Sequence, residues 1–362
     1  MINICICGGG NLAHAIAGEL PHNDKNNKVS ILTRKPEKWG KILEVQHNHK
    51  FAYNSELVTV TNDYTILENM DIIILSIPAF ARFEFLTKIR KHVPTHSILV
   101  TAPSLGGINF IFDKYFQKNK YACLQRVPYI CRTVEYGHSV NTDIKNEIKV
   151  LYSTNSTNND KNIIKNLFKM NIVELKSFRA LMLSNSNPIL HIAGMAQLIK
   201  ENYPYSYIPR LYDIWDNYAS NICIEMDKEL ESIMNKYNDT EYTSLFEHYC
   251  VNSATELTTK LKSITSFKDV IAPFSKKNEL YYIDKTSRYI IEDIPFGTCF
   301  IKYVANMNGI KTPAIDQVLK IIQKTIGEEY VTEDNKINIE HWNKMLGYPT
   351  DILDYLNQKV VG

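Results

Sequence analysis

Two stretches of this chain carry residues whose types and spacing could do chemistry. The first is Gly8-Gly9-Gly10-Asn11-Leu12-Ala13, directly after the apolar run Ile2-Asn3-Ile4-Cys5-Ile6-Cys7. The second is Asn187-Pro188-Ile189-Leu190-His191-Ile192-Ala193-Gly194. In the first, Gly8 can supply a tight turn, Gly10 lets backbone approach a pyrophosphate, and Ala13 is small enough for close packing of helix on strand. A helix over Leu12–Leu20 would aim its N-terminal amides at the phosphates, so Gly8, Gly10, Asn11 and Leu12 are the expected cofactor contacts. In the second, Asn187 and His191 stand four apart and share a face once the helix has begun. Pro188 then falls in the first turn, where its missing donor is harmless. Histidine titrates near neutrality, which suits a group that must take and return a proton.

The next strand reads Lys28-Val29-Ser30-Ile31-Leu32-Thr33-Arg34-Lys35. It ends about 20 residues past the glycines, where an acid would hold the ribose 2′-hydroxyl of NAD. No acid stands there. Thr33, Arg34 and Lys35 offer a hydroxyl and two cations, which suit a 2′-phosphate, with Arg34 able to grip it through its planar fork. The expected cofactor is therefore NADP(H) in preference to NAD(H). The alternative is that Arg34 and Lys35 only solvate a turn. The run Asp71-Ile72-Ile73-Ile74-Leu75-Ser76-Ile77-Pro78 is the clearest buried strand. Pro78 ends it at the carboxyl edge, where ligands bind in such sheets, so Ser76 and Pro78 join the expected cofactor contacts.

The elements that must position these groups follow from the pattern along the chain. Strand-like runs at 57–60, 97–102 and 121–127 alternate with helical stretches such as 80–92, the pattern of a doubly wound parallel sheet. Two more strands are expected between 135 and 153, then a helix over 160–170 and a strand over 172–175. Beyond about residue 180 helical spacing dominates, over 181–199, 211–236, 242–262, 297–307 and 313–326. The expected architecture is α/β: a Rossmann-type domain over 1–178, then an all-α domain over 179–362. A length of 362 residues suits two domains. Hydrophobic residues at 44% and charged residues at 22% are ordinary for a globular chain. A net charge of +2 gives no reason to expect nucleic acid or an acidic membrane as partner. The seven cysteines show no metal-like spacing, and His47 and His49 read as part of a polar loop without ligand partners, so no metal is expected. Reduced thiols, no 18-residue apolar run and no basic flank before the first strand point to a cytoplasmic protein. Assembly as a homodimer stays open.

The segment Asn187–Gly194 resembles the Asn-Pro-x-x-His-x-x-Gly stretch that opens the helical domain of the opine dehydrogenase family. Three more segments match in family order. Cys131-Arg132-Thr133-Val134-Glu135-Tyr136-Gly137 is similar to its Cys-Arg-x-x-Glu-Tyr-Gly stretch. Arg288-Tyr289-Ile290-Ile291-Glu292-Asp293-Ile294-Pro295-Phe296-Gly297 is similar to Arg-Tyr-x-x-Glu-Asp-x-Pro-Tyr-Gly. Gly309-Ile310-Lys311-Thr312-Pro313-Ala314-Ile315-Asp316 is similar to Gly-x-x-Thr-Pro-x-x-Asp. The resemblance implies reductive coupling of an L-amino acid to pyruvate or another 2-oxo acid with a nicotinamide cofactor. It implies His191 as catalytic acid/base and Asp316 as the carboxylate that fixes its tautomer. Asp316 also reads as an acid in the first turn of a helix that starts at Thr312-Pro313. The substrates carry carboxylates, so Arg132, Asn187 and Lys311 are expected to bind them. Arg288 is a further cation that could instead pair with Glu292 four residues on. Two departures stand out: Pro103-Ser104-Leu105-Gly106-Gly107 lacks a glutamine that relatives often place there, and Phe296 replaces a tyrosine. A 2-oxo or 3-hydroxy acid reductase of the ketopantoate or glycerol phosphate type is the alternative enzyme. Those types use a lysine early in the helical part, where this chain offers His191 and only Lys200. A nucleotide-sensing binding protein without turnover is the alternative outside enzymes.

Overall fold

A computed structural model describes residues 1–361. The chain forms two compact units, Met1–Leu181 and Met182–Gly362.

The first unit is built on an eight-stranded sheet. Its strands are β1 (Ile2–Cys7), β2 (Asn27–Leu32), β5 (Val60–Thr61), β6 (Ile72–Leu75), β7 (Ile98–Thr101), β8 (Lys120–Leu124), β11 (Glu147–Tyr152) and β12 (Asn171–Leu175). The order is β12-β11-β8-β7-β6-β1-β2-β5. Pairing is parallel from β5 to β8, and β11 runs antiparallel to β8. The apolar runs need this arrangement. All four residues of β6 are buried, which fits a strand covered on both faces. The chain winds outward from β1 in both directions, to β2 on one side and β6 on the other. The carboxyl ends of β1 and β6 therefore form the switch point where ligands bind in open α/β sheets. Helices α1 (Asn11–Asn23), α2 (Ala79–Ile89), α3 (Ile108–Tyr115) and α4 (Asn158–Phe168) complete the layers. Thr157 and Asp160 form a capping box at the start of α4.

A second sheet in this unit was not anticipated. It has the order β4-β3-β10-β9, from β3 (Ile42–His47), β4 (Lys50–Glu56), β9 (Tyr129–Glu135) and β10 (Ser139–Ile144). His47 and His49 thus belong to a hairpin rather than a loop, with Asn48 and His49 at positive φ in its two-residue turn. The sheet packs on α1 through Leu43, Val45 and Val140, which meet the helix at Gly18, and around Glu19, which is fully buried. Its carboxylate accepts hydrogen bonds from Tyr53 Oη at 2.7 Å, from Thr142 Oγ1 and from His47 Nε2 at 3.1 Å.

The second unit is mainly helical: α6 (Asn187–Asn202), α7 (Asn217–Lys236), α8 (Leu245–Tyr249), α9 (Ala254–Ser263), α10 (Cys299–Met307), α11 (Pro313–Ile326), α12 (Ile339–Leu346) and α13 (Thr350–Val361), with α5 (Phe178–Leu183) at the junction. The run expected over 181–199 is broken between α5 and α6. Ser184-Asn185-Ser186 favours a turn, and Pro188 lies in the first turn of the new helix. One two-stranded hairpin, β13 (Phe274–Lys277) with β14 (Leu280–Ile283), interrupts the helical pattern. Tyr289–Thr298 forms a π-helix that runs into α10. Among the described residues no helix is long and apolar enough to cross a membrane.

Candidate functional site

In the first unit the glycine turn joins β1 to α1 at the switch point. Gly8 takes a φ of +141°, and a Cβ there would strike the Ser76 carbonyl oxygen after β6. Only glycine holds that conformation and that approach without strain. Gly10 caps α1 with no side chain bonded to the helix end, and the space where its Cβ would lie is open for 4 Å. Such a bare helix N-terminus suits a phosphate. Ser76 Oγ is buried and makes no hydrogen bond, an orphan polar atom at the carboxyl edge of β6. Pro78 stands at the start of α2. Thr33 is buried beside the turn, and Arg34 and Lys35 are exposed. These residues fit a nicotinamide dinucleotide.

In the second unit His191 lies one helical turn into α6, with 16% of its side chain exposed. Its Nδ1 is 2.8 Å from Asp293 Oδ2. The carboxylate fixes the tautomer: Nδ1–H donates to Asp293, which leaves Nε2 able to accept a proton. The imidazole also lies flat on the Tyr289 ring, at 4.0 Å and 3° between planes. Tyr289 and Asp293 both come from the π-helix, a geometry often found at functional sites. That segment is fastened to the start of α6. Gly297 sits so close to the Pro188 ring that a Cβ would collide with it, and Thr298 Oγ1 donates to Pro188 O at 2.8 Å. On its other side Trp342 Nε1 donates to Pro295 O at 2.7 Å. Arg288 Nε donates to Glu292 Oε2, the intrahelical pairing the spacing allowed, while the arginine side chain stays 64% exposed.

Asp316 is not the partner of His191, which corrects the sequence expectation. It lies in the first turn of α11 and pairs with Lys302 Nζ at 2.5 Å. Lys302 also donates to Thr312 Oγ1 at 2.7 Å. The helix start at Thr312-Pro313 and the buried lysine together claim this carboxylate. The backbone amides of Ala314 and Ile315 donate to Glu229, at 2.6 and 3.1 Å. Burial, with Asp316 nearby as a smaller cause, pushes the Glu229 carboxyl up to about 7. Asn187 is exposed at the first position of α6, and Lys311 is exposed just before α11. Arg132 is exposed on β9 of the first unit. Asp293 and Tyr289 were present in the Arg288–Gly297 motif, but nothing in their spacing tied them to His191.

Comparison with known proteins shows what the chain is similar to. A family model described as "NAD/NADP octopine/nopaline dehydrogenase, alpha-helical domain" matches residues 174–326. A second, "NADP oxidoreductase coenzyme F420-dependent", matches residues 3–103. The chain is 25% identical to tauropine dehydrogenase of Arabella iricolor, covering 91% of this chain and 93% of that protein. It is 22% identical to octopine dehydrogenase of Pecten maximus, covering 92% of each. A solved structure of octopine dehydrogenase with NADH and L-arginine aligns with a TM-score of 0.78 at 21% identity, covering 96% of this chain and 99% of that one. The helical-domain match, the four motifs in order and relatives matched over nine-tenths of their length together support the opine dehydrogenase family for this chain.

Proposed function

We propose that this protein is an opine dehydrogenase, an NAD(P)-dependent oxidoreductase acting on CH–NH bonds. It couples the amino group of an L-amino acid to the carbonyl carbon of pyruvate or another 2-oxo acid, giving an N-(carboxyalkyl) amino acid. The observation that carries this reading is the 2.8 Å bond between His191 and Asp293, with Tyr289 against the ring face. When bound, the reduced nicotinamide supplies hydride to the carbon of the imine. His191 handles the protons of the coupling. Its free Nε2 takes a proton from the ammonium group so that the amine can attack, and the imidazolium returns one as the carbonyl oxygen leaves as water. Asp293 holds the ring in the tautomer this requires and steadies the imidazolium. Arg288, fixed by Glu292 and exposed, Asn187 and Lys311 are the candidates in the second unit for substrate carboxylates, and Arg132 is the candidate in the first.

Thr33, Arg34 and Lys35 favour NADPH over NADH, because they offer a hydroxyl and two cations where an acid would serve NAD. All seven cysteines are free, which suits a reducing compartment, and we place the enzyme in the cytoplasm. The test is NADPH oxidation with pyruvate across a panel of L-amino acids, with mass analysis of the products. Amino-acid-dependent oxidation and a product joining both substrates are expected. Oxidation by the 2-oxo acid alone would replace this reading with a simple 2-oxo acid reductase.

A further inference from the structure

The fingerprint has three consecutive glycines, and the tight turn and the phosphate approach account for Gly8 and Gly10 only. Gly9 has a different cause. A Cβ on it would lie 2.6 Å from Tyr136 Oη and 2.8 Å from Thr33 Oγ1. Two hydroxyls, from residues 33 and 136, therefore converge on the bare backbone of the turn. Thr33 stands at the carboxyl end of β2, and Tyr136 follows β9, so a strand of the second sheet delivers a side chain to the cofactor turn of the first.

The tyrosine is held there by a fixed device. His14, fully buried in the first turns of α1, lies between the two segments. Its Nδ1–H donates to Gly10 O at 2.9 Å, and its Nε2 accepts the Gly137 N–H at 2.7 Å. Burial lowers its pKa, which keeps the ring neutral and allows one nitrogen to donate while the other accepts. The His14 ring stacks on Trp39 at 4.1 Å and meets the Tyr136 ring edge-on at 5.1 Å. Asn11 Oδ1 accepts the Thr133 N–H at 3.0 Å, a further tie between turn and strand. Tyr136 itself remains 39% exposed, with its ring packed and its hydroxyl at the turn.

We propose that Tyr136 and Thr33 form a hydroxyl pair that binds the 2′ substituent of the adenosine ribose, a phosphate monoester on the sugar, with Arg34 supplying charge. His14 is the positioning residue that sets the tyrosine over the turn. The proposal rests on the dinucleotide reading of Gly8–Ala13. Its chemistry follows from the ligand: a phosphate monoester dianion has three acceptor oxygens, and hydroxyl and guanidinium donors suit it. Gly9 is then glycine because a methyl group would occupy the place where the two donors meet.

The test is equilibrium binding to the full-length chain, by calorimetry, of 2′,5′-ADP, 5′-AMP, NADPH and NADH. The wild type is expected to bind 2′,5′-ADP more tightly than 5′-AMP. Tyr136→Phe keeps the ring contacts and removes the hydroxyl. It should weaken 2′,5′-ADP and NADPH by about 5–20-fold and leave 5′-AMP and NADH within about twofold, the worth of a hydrogen bond to a charged group. Thr33→Val and Gly9→Ala should lose selectivity in the same direction, and Arg34→Ala serves as the reference for a charge contact. His14→Gln should weaken all four ligands, because it loosens the turn that they share. Unchanged binding in Tyr136→Phe, or equal loss for all four ligands, would overturn the assignment of the tyrosine. A wild type that binds neither dinucleotide would overturn the cofactor turn itself, and the proposal with it.

Discussion

The cofactor turn of the first unit and the histidine pair of the second are encoded in different ways. The turn is written in consecutive residues, 8–13, and acts mainly through backbone groups and missing side chains. The pair joins two side chains 102 residues apart, and neither is useful without the other. A backbone site can be recognised wherever its spacing occurs, because local geometry supplies the function. A side-chain pair exists only once packing has brought two elements together. That contrast is sharpest at the carboxylates, since Asp293 and Asp316 both follow family-like motifs and only one reaches the imidazole.

The largest expected effect tests that choice. His191→Asn should cut turnover by about 10²–10⁴, the usual range for loss of a general acid/base, while NADPH binding is kept. Asp293→Asn should also cut turnover, because it removes the charge that holds the tautomer. The double variant should be little worse than His191→Asn, as expected when two groups act as one unit. Asp316→Asn should behave differently. It strips the buried Lys302 of its counter-charge and should cost about 3–5 kcal/mol of stability, with turnover of the folded enzyme kept within about threefold. Urea unfolding and steady-state rates on the same four variants separate the two patterns. An Asp316→Asn enzyme of normal stability and lost turnover would return the catalytic partnership to Asp316.

The same contrast explains which parts of the molecule are legible in its sequence. β1, β6 and the Gly8–Ala13 turn were legible because a strand covered on both faces is a continuous apolar run. The four-stranded sheet was not. β3 and β4 are polar enough to read as loop, and their packing on α1 includes Glu19, whose partners lie on three separate strands. Lys302 was hidden for a related reason. It sits in the apolar run Phe300-Ile301-Lys302-Tyr303-Val304, where spacing gives no hint that its charge is answered by Asp316. His191 stands out through its motif, and the fold gives it a carboxylate partner. Asp293 was inside another quoted motif, but its role needed the π-helix, and no local pattern announced that geometry.

A smaller effect concerns pH and separates the buried Glu229 from the carboxylate paired with His191. Glu229 has an ordinary value of 4.5 and is raised to about 7 in the fold, first by burial. Between those values the folded protein holds the proton more tightly than the unfolded chain does. The stability so gained is complete below about pH 4.5 and is lost as pH rises through 7. Its ceiling is about 3 kcal/mol, because each tenfold gain in proton affinity is worth about 1.4 kcal/mol. Glu229→Gln imitates the protonated form at every pH. Urea midpoints at pH 5 and pH 8 should therefore show the variant gaining on the wild type as pH rises. A gap that does not change with pH would mean that Glu229 titrates alike in both states.

The smallest effect asks how much of the histidine's placement comes from packing instead of charge. Asp293 fixes one ring nitrogen, but a single hydrogen bond leaves the ring free to rock about it. The Tyr289 face, 4.0 Å away and nearly parallel, removes that freedom and, in the proposed mechanism, offers its π-electrons to the imidazolium. Stacked aromatic pairs contribute about 0.5–1.5 kcal/mol beyond burial, so Tyr289→Leu should lower kcat by about 3–10-fold with the NADPH dissociation constant unchanged. Tyr289→Phe keeps the face and should restore most of the rate. If Phe proves as damaging as Leu, the hydroxyl and not the stack is what matters. If Leu leaves kcat intact, the 2.8 Å bond to Asp293 is sufficient to orient His191. Placement in the second unit would then rest on one side-chain bond, whereas the turn in the first unit is tied to β9 and the residues just after it by several contacts.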